Sequence, residues 1–222
     1  LDYEWIGTAH VPDGVEMRLM RRDDDFLILL ERDDLMSTRV SASEEALATL
    51  TQERLGARAG QEWLIGGYGL GFTLRAALAV AGADATLTVA EIVPEIIEWA
   101  RGPMAGLTAG CLDDPRVVVV KDDVAMLIDA ATEAYDAILL DVDNGPDGLT
   151  RRINDRLYGH EGLVAAKAAL RPGGILAIWS AYPDADFADR LRAVGLALEE
   201  FDVSEGTNDQ GARHVIWLAR KI

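Results

Sequence analysis

The sequence predicts an α/β protein: a seven-stranded, mostly parallel sheet covered on both faces, closing in a C-terminal β-hairpin and preceded by a small N-terminal β-hairpin segment. Three observations carry this. From residue 62 onward, short apolar runs alternate with helical stretches, the pattern of strands joined by crossover helices. Runs such as Ala137–Leu140 are continuously apolar, as strands buried on both faces must be. The last two strand-like runs, "LALEEFDV" and "RHVIWLARK", are separated by the turn-rich "SEGTNDQG" and no helix, so they pair antiparallel. The expected division is a β-rich segment over 1–42 and a nucleoside-binding domain over 43–222.

In chain order, "VEMRLM" and "FLILLE" read as two strands around the acidic turn Asp23-Asp24-Asp25. A helix follows, with Ser43 as its cap and Glu44-Glu45 in the first turn near the positive end of the dipole. "EWLIGG" is a strand, then comes a glycine-rich turn and the helix "FTLRAALAVAG". "ATLTVAEI" is a strand leading to a helix that Pro94 starts. "RVVVVKD" and "VAMLIDAAT" form the next strand and helix, and "YDAILLD" the fourth strand of the series. An acidic loop, a helix around "EGLVAAKAAL", the strand "RPGGILAIWSA" and the helix "DFADRLRAVG" lead to the closing hairpin.

The bulk composition removes several function classes. Half of the 222 residues are apolar, enough for a real core, yet no apolar run nears the ~20 residues that span a bilayer. With no signal-like N-terminal stretch, a cytoplasmic location and no membrane partner are expected. A net charge of −17 disfavours nucleic acid and is compatible with a cationic ligand. The single cysteine, Cys111, has no basic neighbour to activate it and reads as structural. His10, His160 and His214 are scattered without ligand spacing, so no metal is expected, and His214 is placed in the last strand, away from the acidic edge.

The informative residues collect where strands end. Gly67, Gly69 and Gly71 lie between the first core strand and its helix, where glycine lets the backbone turn sharply and approach a ligand. No Gly-Lys-Ser/Thr follows, which excludes a Walker-type phosphate cradle. Glu91 ends the second strand, 20 residues after Gly71, where a carboxylate can accept both hydroxyl protons of a ribose. Asp122 and Asp123 end the third strand: one can accept from an adenine amine, the other serves as a helix cap. Asp141 ends the fourth. Ligands of such sheets sit beyond the carboxyl ends of the strands, so these acids open on one edge. Together with the glycine turn they describe a site for a nucleoside carrying a cation, and S-adenosylmethionine fits that description. Trp179 and Tyr182 end the fifth strand, where they either stack on a ligand or pack.

The stretches "WLIGGYGLGFTLRAAL", "LTVAEIVPEIIEWAR", "RVVVVKDD", "YDAILLDVDNGP" and "LYGHEGLVAAKAALRPGGILAI" resemble the spermidine synthase group of polyamine aminopropyltransferases over about residues 62–180. That resemblance implies the class I methyltransferase (Rossmann-like) fold with an N-terminal β-hairpin domain, and a homodimer. It implies binding of decarboxylated S-adenosylmethionine, S-adenosylmethionine or methylthioadenosine, and an aminopropyl or methyl transfer to a small cationic or amine substrate. By position, Glu91 matches the ribose acid, Asp123 the acid near adenine, and Asp141 the first Asp of a D-S/T-x-D-P motif. The sequence also departs from the group. Leu70 stands where the group's glycine loop has the Asp that holds the aminopropyl amine. Asn144 replaces the motif's second Asp and cannot ionise, which makes it a poor general base. Of the group's Tyr-His-Glu only the acid, Glu45, is kept.

An amine acceptor has to lose a proton, since its free pKa lies near ~10. Asp141 is the first candidate to take it and Asp143 the second, with Asn144 beside them. Two alternatives stand next to aminopropyl transfer: an S-adenosylmethionine-dependent methyltransferase, and a catalytically silent protein that keeps only the nucleoside pocket.

Overall fold

The computed structural model describes residues 3–12, 14–31, 33–38, 41–141, 156–204 and 213–222. The N-terminal part is a four-stranded antiparallel sheet in the order β1-β2-β3-β4: β1 (Glu4–His10), β2 (Glu16–Arg22), β3 (Asp25–Leu30) and β4 (Asp33–Ser37). The expected pair is β2 and β3. Sequence patterning misses β1 and β4 because neither carries an alternating apolar face; in β1 only Ala9 is buried.

Helix α1 (Ala42–Leu55) connects to the large sheet. Its N-cap is Ser41, which makes no side-chain capping bond, and Ser43 is instead buried inside the first turn. The expected cap was two residues late because Ser41 and Ser43 are equally good cap types and only packing separates them. The large sheet then runs through β5 (Glu62–Gly66), α2 (Phe72–Val80), β6 (Thr86–Ala90), α3 (Pro94–Arg101), β7 (Val117–Val120), α4 (Val124–Asp129), β8 (Tyr135–Leu140), α5 (His160–Ala169), β9 (Leu170–Ser180), α6 (Ala185–Ala193), β10 (Leu196–Ser204) and β11 (Arg213–Lys221). Its strand order is β10-β11-β9-β8-β5-β6-β7. Strands β5 to β9 pair parallel, and β11 inserts antiparallel between β9 and β10. The order reverses between β5 and β8, which makes their carboxyl ends the switch point where a ligand crevice opens.

Each face of the large sheet has its own core. On one side Leu163 of α5 and Phe187 of α6 join Leu64, Ile138 and Trp217. On the other, Leu47 of α1, Leu74 of α2 and Ile96 of α3 join Ile65, Leu87 and Leu139. Met17, Leu19, Phe26 and Ile28 of the small sheet belong to this second cluster, so the two sheets share one apolar core. Close approach at Gly7 assists the docking: a Cβ there would meet the Trp99 indole of α3 at 2.9 Å. The small sheet is thereby held over the crevice at the switch point.

The opposite, amino-terminal edge of the sheet has its own acid. Asp136 is buried, and it accepts from Arg58 at 3.2 Å, Arg171 at 2.7 Å and the Glu62 backbone N–H at 2.9 Å. Removing this carboxylate leaves the Glu62 N–H and the two half-buried guanidinium groups without their shared acceptor, at a cost of about 1–3 kcal/mol. Asp136→Ala is therefore expected to lower unfolding stability by that order in a urea titration. Ligand affinity of the fraction that stays folded should be unchanged, because Asp136 lies at the wrong edge.

Candidate functional site

Parallel register sets the site. Gly66 pairs with Ala90 of β6 and Leu140 of β8, and Ala90 with Val120 of β7. The residues that follow these strand ends, Gly67, Glu91 and Asp141, consequently emerge side by side. Gly67 N–H donates to the Ala90 carbonyl at 2.8 Å and Glu91 N–H to the Val120 carbonyl at 2.9 Å, which carries the ladder to the rim.

A cleft opens there. Gly67, Gly69, Glu91, Asp122, Asp123 and Asp141 line one wall, with Ile92, Ile96, Val124 and Leu157 beside them. Val11, Met17, Ile28, Leu30, Leu35 and Met36 of the N-terminal part line the other. A smaller recess adjoins it, lined by Glu44, Leu70, Gly71, Thr73 and Asp141 among others.

Glu91 is buried and held from both sides. One carboxylate oxygen accepts from Tyr68 N–H at 2.8 Å and the other from Val93 N–H at 2.8 Å. Burial pushes its pKa up, and the backbone donors of Val93 and Tyr68 oppose the shift. The backbone N–H groups of Gly69 and Ile92 add to this opposing pull, so the carboxylate is gripped from the glycine turn on one side and from the start of the next loop on the other.

The sequence expects Asp122 and Asp123 at the end of a strand, one as ligand and one as cap. Strand β7 ends at Val120, and Asp123 is the cap: its Oδ1 accepts from Ala125 N–H at 2.9 Å, while Arg156 lies 3.8 Å from its Oδ2. Asp122 Oδ1 accepts from Asp123 N–H at 2.8 Å. Both residues line the cleft, Asp123 half-buried and Asp122 exposed. Losing an Asp cap costs about 1 kcal/mol. Asp123→Ala is therefore expected to lose that stability and Asp123→Ser, which restores the cap, to regain most of it, as chemical denaturation would read.

Asp141 is common to cleft and recess. Burial pushes its pKa up to about 6, against a smaller opposing pull from the Thr73 hydroxyl. A carboxyl group titrating there is better matched to proton transfer at neutral pH than an ordinary aspartate. Asp143 and Asn144, with the rest of the acidic loop, lie outside the described residues.

The glycine turn divides its work. Gly67 and Gly69 line the cleft, and Gly69 has a φ of +55° with Met36 packed on it, so that a Cβ would come within 2.6 Å of the sulfur. Gly71 lies on the recess side. Its φ is +83°, and a Cβ there would meet the Tyr68 hydroxyl at 2.6 Å. Tyr68 turns inward beneath the turn, 3.0 Å from the Thr108 hydroxyl and 3.9 Å from the sulfur of buried Cys111, and burial pushes its pKa up. Its backbone N–H holds Glu91 while its ring supports the loop, a role that patterning does not reveal.

Two other expectations change. The acid kept from the group's Tyr-His-Glu, Glu45, is tied to Arg75 at 2.6 Å, and the carboxylate lining the recess is its neighbour Glu44. Helical geometry explains this, since adjacent residues on a helix point about 100° apart. His214 does not lie away from the acidic edge: β11 runs antiparallel, and Val215 pairs with Ser180 at the carboxyl end of β9. There the His214 ring packs against Trp179 at 4.8 Å. Trp179 is buried, Tyr182 is exposed, and neither lines the cleft. No group of three or more His, Cys, Asp or Glu among the described residues is placed to hold a metal, and no described helix is long and apolar enough to cross a membrane.

A polyamine aminopropyltransferase of Mycobacterium tuberculosis is 31% identical over 171 residues, covering 76% of this chain and 31% of that protein. The chain is spermidine synthase-like. No family model matches it. A putrescine N-methyltransferase 2 of Nicotiana attenuata is 34% identical over 114 residues, 51% of this chain and 29% of that protein. In fold, a spermidine synthase crystallised with the transition-state analogue AdoDATO superposes with a TM-score of 0.75 at 20% identity, covering 98% of this chain and 72% of that one. The spermidine synthase-like chain spans about a third of the length of the curated relatives it matches (31% for the mycobacterial protein). Its seven-stranded sheet with C-terminal hairpin and its N-terminal antiparallel sheet share the class I methyltransferase fold of the crystallised synthase.

Proposed function

We propose that this chain is an S-adenosyl-nucleoside-dependent transferase that passes an aminopropyl group from decarboxylated S-adenosylmethionine to an amine. The observation that carries the reading is the meeting of Glu91, Asp123 and Asp141 with Gly67 and Gly69 on one cleft at the switch point. Glu91 accepts the ribose hydroxyls and Asp122 or Asp123 the adenine amine. Ile92 and Val124 flank the base, and Asp141 faces the amine.

The chemistry suits this arrangement. The acceptor ammonium first gives a proton to Asp141 or to water, which frees the nitrogen lone pair. That lone pair forms a bond to the propyl carbon beside sulfur. The carbon–sulfur bond breaks with its electrons returning to sulfur, which leaves neutral methylthioadenosine and a secondary ammonium product. No anion develops at the reacting carbon, so alignment supplies most of the rate gain. The recess supports aminopropyl transfer despite Leu70: Glu44 still brings a carboxylate to the wall that Leu70 lines, where it can meet the donor's ammonium.

Similarity to a putrescine N-methyltransferase favours a second reading, methyl transfer from intact S-adenosylmethionine. A thermal-shift panel decides between them. Each donor that binds only the folded state raises the melting temperature as its concentration passes Kd. Decarboxylated S-adenosylmethionine and methylthioadenosine are expected to stabilise more than the intact donor and adenosylhomocysteine. The reverse order, with methylated amine in a turnover assay, would replace aminopropyl by methyl transfer. Binding with no product from a wide amine panel would leave the silent nucleoside-binding protein.

A further inference from the structure

Thr108 is a buried polar residue to which the transfer chemistry gives no part. It lies in the turns after α3 and lines neither the cleft nor the recess. Its hydroxyl nevertheless reaches the glycine turn, 3.0 Å from the Tyr68 hydroxyl. The anchor itself is held: Arg75 of α2 donates to the carbonyl of the preceding residue, Leu107, at 3.2 Å. Tyr68 in turn is fixed at three polar points. Its N–H donates to Glu91 at 2.8 Å, its carbonyl accepts from Gly71 N–H at 2.8 Å, and its hydroxyl meets Thr108.

We infer that Thr108 is a positioning residue for the nucleoside: by holding the Tyr68 hydroxyl it fixes the peptide that aims the Glu91 carboxylate. This rests on the reading of Glu91 as the ribose acceptor. Two of the backbone donors that pull on Glu91, the N–H groups of Tyr68 and Gly69, belong to the glycine turn. Gly67 and Gly69 flank Tyr68 with φ of +84° and +55°. Glycine has little backbone preference of its own, so contacts must impose the shape of this turn. The Tyr68 side chain supplies a stiff contact, a ring with two torsions, and pinning its far end limits how the peptide can rotate. The Cys111 sulfur, 3.9 Å from the same hydroxyl, is no substitute, since a thiol is a weak donor and a weak acceptor. Without the Thr108 bond the turn samples other orientations, and Glu91 spends less time aligned for the ribose hydroxyls.

The test is calorimetric titration of the full chain with methylthioadenosine and with its 2′,3′-dideoxy analogue. Thr108→Val keeps the shape and removes the hydroxyl. The loss of one neutral hydrogen bond sets the expected scale, a methylthioadenosine Kd raised about fivefold, with the dideoxy analogue bound as by the wild type. Thr108→Ser should bind methylthioadenosine like the wild type. Placed on Glu91→Gln, Thr108→Val should add no further loss, because residues that act through one group are not additive. Tyr68→Phe removes the other hydroxyl and should reproduce the effect, which keeps the test open if circular dichroism shows the Thr108 variant unfolded. An unchanged Kd in both hydroxyl variants, or equal weakening of both nucleosides, would overturn this inference, while weakened binding by Glu91→Gln leaves the ribose reading standing. A Glu91→Gln protein that binds methylthioadenosine as tightly as the wild type would overturn both.

Discussion

Asp141→Asn is expected to slow transfer by orders of magnitude and to make the ligand-free protein more stable. The aspartate's ordinary pKa of 3.8 rises to about 6 in the fold because burial penalises its charge. Between those pH values the folded protein holds a proton that the unfolded chain has released. This carboxyl's contribution to stability is therefore fully present below pH 3.8 and is lost as pH rises through about 6, on the order of 3 kcal/mol in all. Asn cannot ionise and so does not carry that penalty, while its oxygen can still accept from Thr73. Urea titrations across pH 4–8 should show the wild type losing stability through this window, and the variant with a flatter profile and a higher midpoint at pH 8. The same substitution removes the proton acceptor. Positioned acid–base groups contribute on the order of 10²–10⁴-fold, so kcat should fall by that factor while the affinity for methylthioadenosine changes little. A variant that keeps wild-type turnover would remove Asp141 from the chemistry.

Glu91→Gln makes the same carboxylate-to-amide change and is expected to have the opposite profile. Both Glu91 oxygens already accept backbone N–H groups, from Tyr68 and Val93. Gln offers one oxygen and one NH₂, so either arrangement turns a donor against a buried donor, at a cost of about 1–3 kcal/mol. That cost offsets the gain from removing a buried charge, and no stabilisation like that at position 141 should appear. Ligand binding suffers more. Hydrogen bonds to a charged acceptor contribute about 1.5–3 kcal/mol each. Losing the acid beneath the ribose should weaken methylthioadenosine binding at least about 100-fold by calorimetric titration. Deoxyadenosine analogues lacking the ribose hydroxyls should bind the variant and the wild type alike.

The contrast between these two acids shows what a sequence conveys about a site. Both sit just after an apolar run, and both are legible as strand-end carboxylates. Their different surroundings, a backbone clamp for one and a buried half-site with Thr73 for the other, come from loops that meet only in three dimensions. The same holds for Asp122 and Asp123. Adjacent in sequence, they divide into an exposed wall residue and a half-buried helix cap once β7 stops at Val120. Glu44 and Glu45 divide in the same way: Arg75, 30 residues on, takes Glu45 and leaves its neighbour lining the recess.

The sequence by itself determined the alternation of strands and helices, the seven-stranded sheet, the closing hairpin, and the strand ends at which glycines and acids collect. These are properties of short windows: hydrophobic period, glycine and proline placement, and helix starts. Only the tertiary structure decided that the N-terminal segment is a four-stranded sheet sharing a core with the large one, that it lays an apolar wall across from the acids, and that Tyr68 braces the glycine turn from below. These depend on contacts between residues far apart in the chain. The packing energy behind them is shared among partners, and it leaves no periodic mark on any one stretch of sequence.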